Sequence, residues 1–70
     1  MIKMLNSLDN IIHRAELICE TAKTIELDLY KQGYLNGDNT SRLSEIKADT
    51  HVIKTAAKNI QKDVANNDDI

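Results

Sequence analysis

The sequence contains no proline, tryptophan or phenylalanine, and only two glycines and two tyrosines among its 70 residues. Proline and glycine interrupt helices most effectively, so their scarcity favours long, unbroken helices. Compact β folds need many turn residues and clusters of aromatic or β-branched side chains, and the chain has too few of both. The composition therefore predicts an all-α protein.

A strong excess of one charge is also missing, since the formal net charge at pH 7 is only -2. This balance argues against general attraction to nucleic acid or to an anionic membrane, although a local basic patch stays possible. Cys19 is the only cysteine, which fits a reducing compartment. No signal-peptide pattern and no run of about 20 apolar residues is present. We therefore expect a cytoplasmic protein that does not engage membranes.

The most regular feature that is present is a coiled-coil rhythm between residues 4 and 32. Apolar residues recur there at alternating gaps of three and four, as in a helix that packs along another helix. Position a of the heptad holds Met1, Leu8, Ala15, Ala22 and Leu29, and position d holds Met4, Ile11, Ile18 and Ile25. We predict a first helix over about residues 4–32, with Gly33 as its left-handed C-terminal residue and Tyr34 returning to Leu29.

A turn-forming segment over residues 33–39 is the one strong break in the sequence. Asn36 and Gly37 form a turn dipeptide that a β-hairpin would also use, but no alternating strands flank it. We therefore predict an interhelical loop, with a capping residue at the start of the next helix. The candidates for that cap are Asp38, Asn39 and Thr40.

The same rhythm returns in a second helix, predicted over about residues 40–64. Position a holds Leu43, Thr50, Ala57 and Val64, and position d holds Ile46, Ile53 and Ile60. Residues 66–70 are mostly polar and acidic, and negative charge is unfavourable at a helix C-terminus. We expect one helical-hairpin domain over residues 1–65 and a frayed acidic tail over residues 66–70.

A short loop makes the two helices antiparallel neighbours, so small a residues can lie opposite large d residues. One register pairs Ala22 with Ile53, and another, half a heptad away, pairs Ala22 with Ile46. Both registers alternate small and large residues correctly. The sequence therefore leaves the register of the hairpin open.

The first helix carries more apolar surface than one neighbour can cover. A second apolar row occupies position e and consists of Leu5, Ile12 and Cys19. An a/d/e stripe is typical of a helix with two neighbours in a bundle. We predict that two hairpins associate by twofold symmetry into an antiparallel four-helix bundle, with the e row at the interface. A hetero-oligomer with a helix of another protein is the alternative.

A hairpin of this length with Ala15 and Ala22 at position a and isoleucine at position d resembles the Rop family of plasmid copy-number regulators. Those proteins are helical hairpins that dimerise with alternating small and large core layers. The resemblance implies a dimeric four-helix bundle and binding of paired RNA stem-loops through polar and aromatic residues of one helix face. Here the middle of the first helix offers His13 and Arg14 without a central aromatic residue, so no RNA-binding residues are transferred.

No pattern of catalytic residues stands out in the sequence. The motifs HExxH, CxxC and GxSxG and a glycine-rich phosphate loop are all missing. His13, Glu16 and Glu20 share a helix face, but their heptad positions face outward. A dimetal carboxylate bundle uses inward-facing Glu-x-x-His motifs, whereas here the histidine comes before the glutamate. We therefore expect a non-enzymatic protein without catalytic residues, cofactor or metal.

A basic stripe on the second helix is the first candidate binding surface. Its residues are spaced four, three and four, with one more beyond: Lys47, His51, Lys54, Lys58 and Lys62. Twofold symmetry would double the stripe, and several phosphate contacts give salt-dependent affinity for nucleic acid. The alternative is a solvated helix face, with Glu26 pairing with Lys47 or Arg42 across the hairpin.

The hairpin tip is the second candidate, because both tyrosines gather there beside apolar residues. The cluster consists of Leu27, Tyr30, Tyr34 and Leu35. Tyrosine is favoured at protein interfaces, although Tyr34 and Leu35 would alternatively fold back over the loop. The sequence thus predicts a small interaction or regulatory protein, such as an adaptor, inhibitor or chaperone, with an unidentified protein partner. The alternative is a nucleic-acid-binding regulator of Rop-like architecture.

Overall fold

The computed structural model describes residues 2–68, which form α1 (Ile2–Gln32) and α2 (Gly37–Asp68) around a loop over residues 33–36. The two helices pack side by side, and the Cα positions extend over 56 × 16 × 10 Å. The predicted all-α hairpin is confirmed. Met1, assigned to position a, and the last two residues of the predicted tail lie outside the described residues.

The end of α1 is a Schellman motif centred on Gly33, as the sequence predicts. Gly33 has a φ of 79°, a left-handed conformation that strains residues with a Cβ. The backbone N–H of Tyr34 donates to the carbonyl of Leu29 at 2.9 Å, and that of Gly33 donates to the carbonyl of Tyr30 at 3.3 Å. The motif satisfies two carbonyls at the end of the helix and turns the chain towards α2.

The start of α2 differs from the prediction, because Asn36 caps the helix instead of one of the three residues that follow Gly37. Its Oδ1 accepts a hydrogen bond from the backbone N–H of Asn39 at 2.8 Å, and its carbonyl accepts one from Thr40 at 2.9 Å. An N-cap asparagine satisfies the third N–H of a helix in this way. The helix therefore starts at Gly37, three residues earlier than predicted.

The end of α2 lies at Asp68, beyond the predicted end at residue 64. No proline or glycine follows Val64, so no residue forces the helix to stop there. Acidic side chains near the C-terminus oppose the helix macrodipole and lower the stability of the last turn, but they do not end it. Residues 66–68, predicted as part of a frayed tail, are helical.

Position a of both helices forms the core of the hairpin. The buried members are Leu8, Ala15, Ala22, Leu43, Thr50 and Ala57, each with 7% or less of its surface exposed. Leu29 and Val64 are half-buried at the two ends of this row. The Thr50 hydroxyl donates to the carbonyl of Lys47 at 2.9 Å, so burying this polar residue leaves no unpaired group.

Two ion pairs across the hairpin show which segments of α1 and α2 face each other. Lys47 lies 3.3 Å from Glu26, and Lys54 lies 3.6 Å from Glu16. Ala22 lies one turn before Glu26 and lines a groove together with Ile46 of α2. Of the two residues that the sequence offers as its partner, Ile46 and Ile53, only Ile46 lines that groove. Because small residues meet across the seam, the large d residues lie to one side of it.

Candidate functional site

One broad side of the hairpin, which we call the isoleucine face, is apolar along both helices. Antiparallel packing through position a places the d residues of both helices on the same side of the seam. These residues are 41–50% exposed and comprise Met4, Ile11, Ile18, Ile25, Ile46, Ile53 and Ile60. A groove of about 180 Å³ lies between Ala22, Ile25 and Ile46. Seven of the twelve exposed large hydrophobic side chains among the described residues lie on this face.

The opposite side, which we call the polar face, is closed by side-chain pairs between the helices. Each pair joins an acidic residue of α1 to a long polar residue of α2: Glu26 to Lys47 at 3.3 Å, Glu16 to Lys54 at 3.6 Å, and Asp9 to Gln61 at 2.6 Å. Such partly exposed pairs contribute little net stability. They do favour one rotation of each helix, because the e side of α1 must then face the e side of α2.

The e residues predicted for the dimer interface lie beneath the polar face. Leu5, Ile12 and Cys19 are half-buried. The carbonyl of Leu5 accepts a hydrogen bond from Gln61 at 3.5 Å, and Cys19 shares a groove of about 250 Å³ with Lys54. This row is therefore used largely within the hairpin, which leaves the isoleucine face as the more open apolar surface.

The predicted basic stripe is divided between pairing and solvent. Lys47 and Lys54 contact glutamates of α1, and their side chains are 30% and 34% exposed. His51, Lys58 and Lys62 are exposed. The sequence offered Glu26 either Lys47 or Arg42 as a partner, and the pair with Lys47 forms while Arg42 donates to Asn39 at 3.1 Å. Two of the five basic side chains thus help to hold the hairpin register.

The four predicted tip residues lie together at one end of the molecule. Leu27, Tyr30 and Tyr34 are 52%, 70% and 65% exposed, and Leu35 is half-buried. Leu35 therefore folds towards the loop, whereas Tyr34 stays outside. Of the two alternatives for the tip, Leu35 follows the covering one, and both tyrosines remain available for contact.

A short network holds the loop at the tip. The Nδ2 of Asn39 donates to the carbonyl of Tyr34 at 3.1 Å, and Arg42 donates to the Oδ1 of Asn39 at 3.1 Å. Together with the Schellman motif and the Asn36 cap, these bonds tie each loop end to a helix. Tyr30 and Tyr34 are therefore presented from a fixed backbone, which lowers the entropy lost when a surface binds.

The charged side chains at mid-length of α1 point to separate partners. Glu16 reaches Lys54 across the hairpin, whereas Glu20 reaches Lys23 on its own helix at 3.2 Å. The hydrogen bond and charge of Glu20 raise the pKa of Lys23.

Within the described part of the chain, no three His, Cys, Asp or Glu side chains are grouped as ligands for a metal ion. Over the same residues, neither helix has a stretch long and apolar enough to cross a membrane.

The sequence pattern missed the isoleucine face, because it assigned the d residues to the seam within the hairpin. One signal did favour the observed arrangement: the middle a positions are small in both helices, at Ala15, Ala22, Thr50 and Ala57. Small residues let two helix backbones approach closely, which pushes β-branched neighbours to the side of the contact. The acidic residues of α1 and the lysines of α2 gave the same rotation.

No protein-family model, no curated protein and no solved structure matches this chain.

Proposed function

We propose that this chain is a small, non-enzymatic interaction protein that works as a dimer of hairpins, in the form of an antiparallel four-helix bundle. One observation carries the proposal. The hairpin is a single helix layer thick, with a Cα extent of 10 Å in its shortest direction, and one side of that layer is apolar. Stable domains enclose their core between at least two layers of secondary structure. A second hairpin supplies the missing layer.

The size of the apolar side supports an interface. The row from Met4 to Ile25 covers about 32 Å at about 1.5 Å per residue, and the hairpin is 16 Å wide between Cα positions. A face of these dimensions has a flat footprint on the order of 500 Å². Two such faces would together cover roughly 1,000 Å², which is the lower limit for a specific protein interface.

The proposed dimer acts by presenting its outer surface to another protein, as an adaptor, inhibitor or chaperone does. The tip supports this role best, because Tyr30 and Tyr34 are the most exposed large hydrophobic side chains among the described residues and stand on a backbone held at both ends. Tyrosine supplies a large contact area with few rotatable bonds. Leu27 adds apolar area beside them.

Size-exclusion chromatography coupled to light scattering tests the proposal. We expect a single species with about twice the chain mass of 7.9 kDa. The helical signal in far-UV circular dichroism should be strong in the same fractions, since most of the described chain is helical. A folded species with the mass of one chain would rule out the bundle and the interaction role built on it.

A further inference from the structure

We propose that the isoleucine face covers the isoleucine face of a second copy of this chain, and that the polar face stays in solvent. This inference rests on the dimer of the proposed function and assigns its interface. The sequence pattern placed the e row of Leu5, Ile12 and Cys19 at that interface. The structure favours the d row, because the e row is already half-buried against α2.

The two faces differ in what an approaching hairpin would have to desolvate. On the polar face it would cover the Glu26–Lys47 and Glu16–Lys54 pairs, whose side chains are 30–51% exposed. Taking such pairs fully out of water costs more than their attraction commonly returns. On the isoleucine face it would cover aliphatic side chains, and that burial is favourable in proportion to the area removed from water.

The edges of the isoleucine face favour a second copy over other occupants. The g positions flank the d row on the outer side, and Thr21 at one of them lines the groove with Ile18 and Ile25. The charged g residues are all exposed and include both signs: Arg14, Asp28, Arg42, Asp49 and Asp63. An edge of mixed sign can pair with itself under twofold symmetry. A phosphate backbone or an anionic membrane would instead meet three aspartates.

A matched pair of double variants tests which face is covered. Ile18 and Ile53 lie at the same level, because Glu16 and Lys54 meet beside them. Leu17 and Val52 precede them in sequence, are similarly exposed within the hairpin, and sit at position c, away from the isoleucine face. Ile18→Glu plus Ile53→Glu therefore differs from Leu17→Glu plus Val52→Glu only in the direction of the new charges.

We expect Ile18→Glu plus Ile53→Glu to raise the dissociation constant of the dimer at least 100-fold. Leu17→Glu plus Val52→Glu should change it less than fivefold. Sedimentation equilibrium measures both constants. The facing layers would bring four carboxylates into an apolar interface, and burying unpaired charge is strongly unfavourable. The charges at positions 17 and 52 would remain in water.

Disulfide trapping decides the matter if the glutamate variant fails to fold, since cysteine is small and apolar. In a Cys19→Ser background, an equal mixture of the Ile18→Cys and Ile53→Cys single variants places one thiol per chain in the middle of the proposed interface, so that every disulfide joins two chains. The matched mixture of the Leu17→Cys and Val52→Cys single variants is the control. We expect mild oxidation to give covalent dimers on non-reducing gels at least tenfold faster with the first mixture. The second hairpin can lie with its tip at the same end as the first or at the opposite end, and both orientations bring thiols together because residues 18 and 53 lie near the middle of the helices.

The possible outcomes separate the two proposals. If the unaltered protein has the mass of one chain, both the dimer and its interface are overturned. If it is dimeric but only the control pair dissociates it, or the native Cys19 thiols cross-link at the rate expected for position 18, the isoleucine face is overturned and the dimer stands. A dimer broken only by Ile18→Glu plus Ile53→Glu, with trapping through positions 18 and 53, establishes the interface.

Discussion

At the scale of single residues, the two glycines of the chain occupy opposite backbone situations a few positions apart. Gly33 ends α1 with a φ of 79°, whereas Gly37 opens α2 and is the first residue after the Asn36 cap. A Cβ built on either glycine meets no neighbouring atom within 4 Å. The backbone conformation alone therefore decides what an added methyl group does at each position.

We expect Gly33→Ala to lower the free energy of unfolding by about 1 kcal/mol, because alanine is strained in the left-handed region. Gly37→Ala should raise it by about 0.5 kcal/mol, because alanine restricts the unfolded chain and favours helix. Urea unfolding, followed by circular dichroism at about 222 nm, measures both free energies at equal protein concentration. Equal effects of the two variants would contradict the Schellman assignment.

At the scale of elements, α1 and α2 meet through residues that are small on both sides. Ala22 in α1 is 2% exposed, and Thr50 in α2 is 5% exposed. The larger isoleucines stand beside this seam instead of inside it. The helices thus meet through small side chains along position a, with the groove of the isoleucine face beside Ala22, and added volume at this seam must be accommodated by movement or by leaving it.

Ala22→Leu should destabilise the hairpin by about 1–3 kcal/mol, because the extra methylenes must displace a helix or leave the seam. Ala48→Leu makes the same chemical change at an exposed position of α2 and should alter stability by less than about 0.5 kcal/mol. Thermal unfolding compares the two variants. A seam that accepts leucine at residue 22 without loss would show that the small a residues do not set the distance between the helices.

The sequence predicts the helices and the end of α1 because those signals are local. The heptad period gives both elements, and Gly33 marks the C-terminus of α1 by its own backbone preference. The position of α2's start depends on a choice among Asn36 and its neighbours, several of which are good caps. Only the hydrogen bond from Asn39 to Asn36 decides it.

The rotation of the helices about their own axes is harder to predict, since positions a and d are both apolar in each helix, apart from Thr50 at one a position. The rotation depends on contacts between residues far apart in sequence, such as Glu26 with Lys47 and Ala22 near Ile46. The same non-local contacts explain the candidate surfaces. The clustering of the tip residues can be predicted from their spacing in the sequence. The pairing of Lys47 and Lys54 with glutamates of α1 can be predicted only when the register of the hairpin is known.

At the scale of the whole molecule, the chain has three distinct surfaces. The isoleucine face is apolar, the polar face carries matched charges from the two helices, and the tip carries both tyrosines. If the isoleucine face is covered by a second copy, the tip and the polar face remain on the outside of the bundle. The two candidate binding surfaces then belong to the assembled protein and can be tested in it.

The tip is tested with Tyr30→Ala plus Tyr34→Ala, and Leu17→Ala plus Val52→Ala is a control at two apolar positions elsewhere that are 53% and 63% exposed. We expect the tyrosine variant to keep its mass and helicity, because neither side chain is part of the seam. In quantitative capture from the native host, the tyrosine variant should lose at least about 90% of a partner protein that the control variant retains. A tenfold loss of affinity corresponds to about 1.4 kcal/mol. Capture that is equal in both variants would refute the tip.

The nucleic-acid alternative is tested with a short RNA hairpin titrated at several salt concentrations. We expect no saturable binding at physiological salt, because glutamates of α1 engage Lys47 and Lys54. If binding does occur, Lys58→Glu plus Lys62→Glu removes two exposed positive charges. A salt dependence that becomes shallower by about 0.9 per lost phosphate contact would support the basic stripe over the tip.

A molecule only one helix layer thick has a consequence for its life in a cell. A lone hairpin leaves ten large aliphatic side chains of the described residues 41–63% exposed, so for the proposed dimer the folded population rises and falls with the amount of chain produced. Newly made copies that have not met each other are the ones that proteases and chaperones encounter. The rate of synthesis relative to degradation would then have a threshold, and below that threshold no working protein would accumulate.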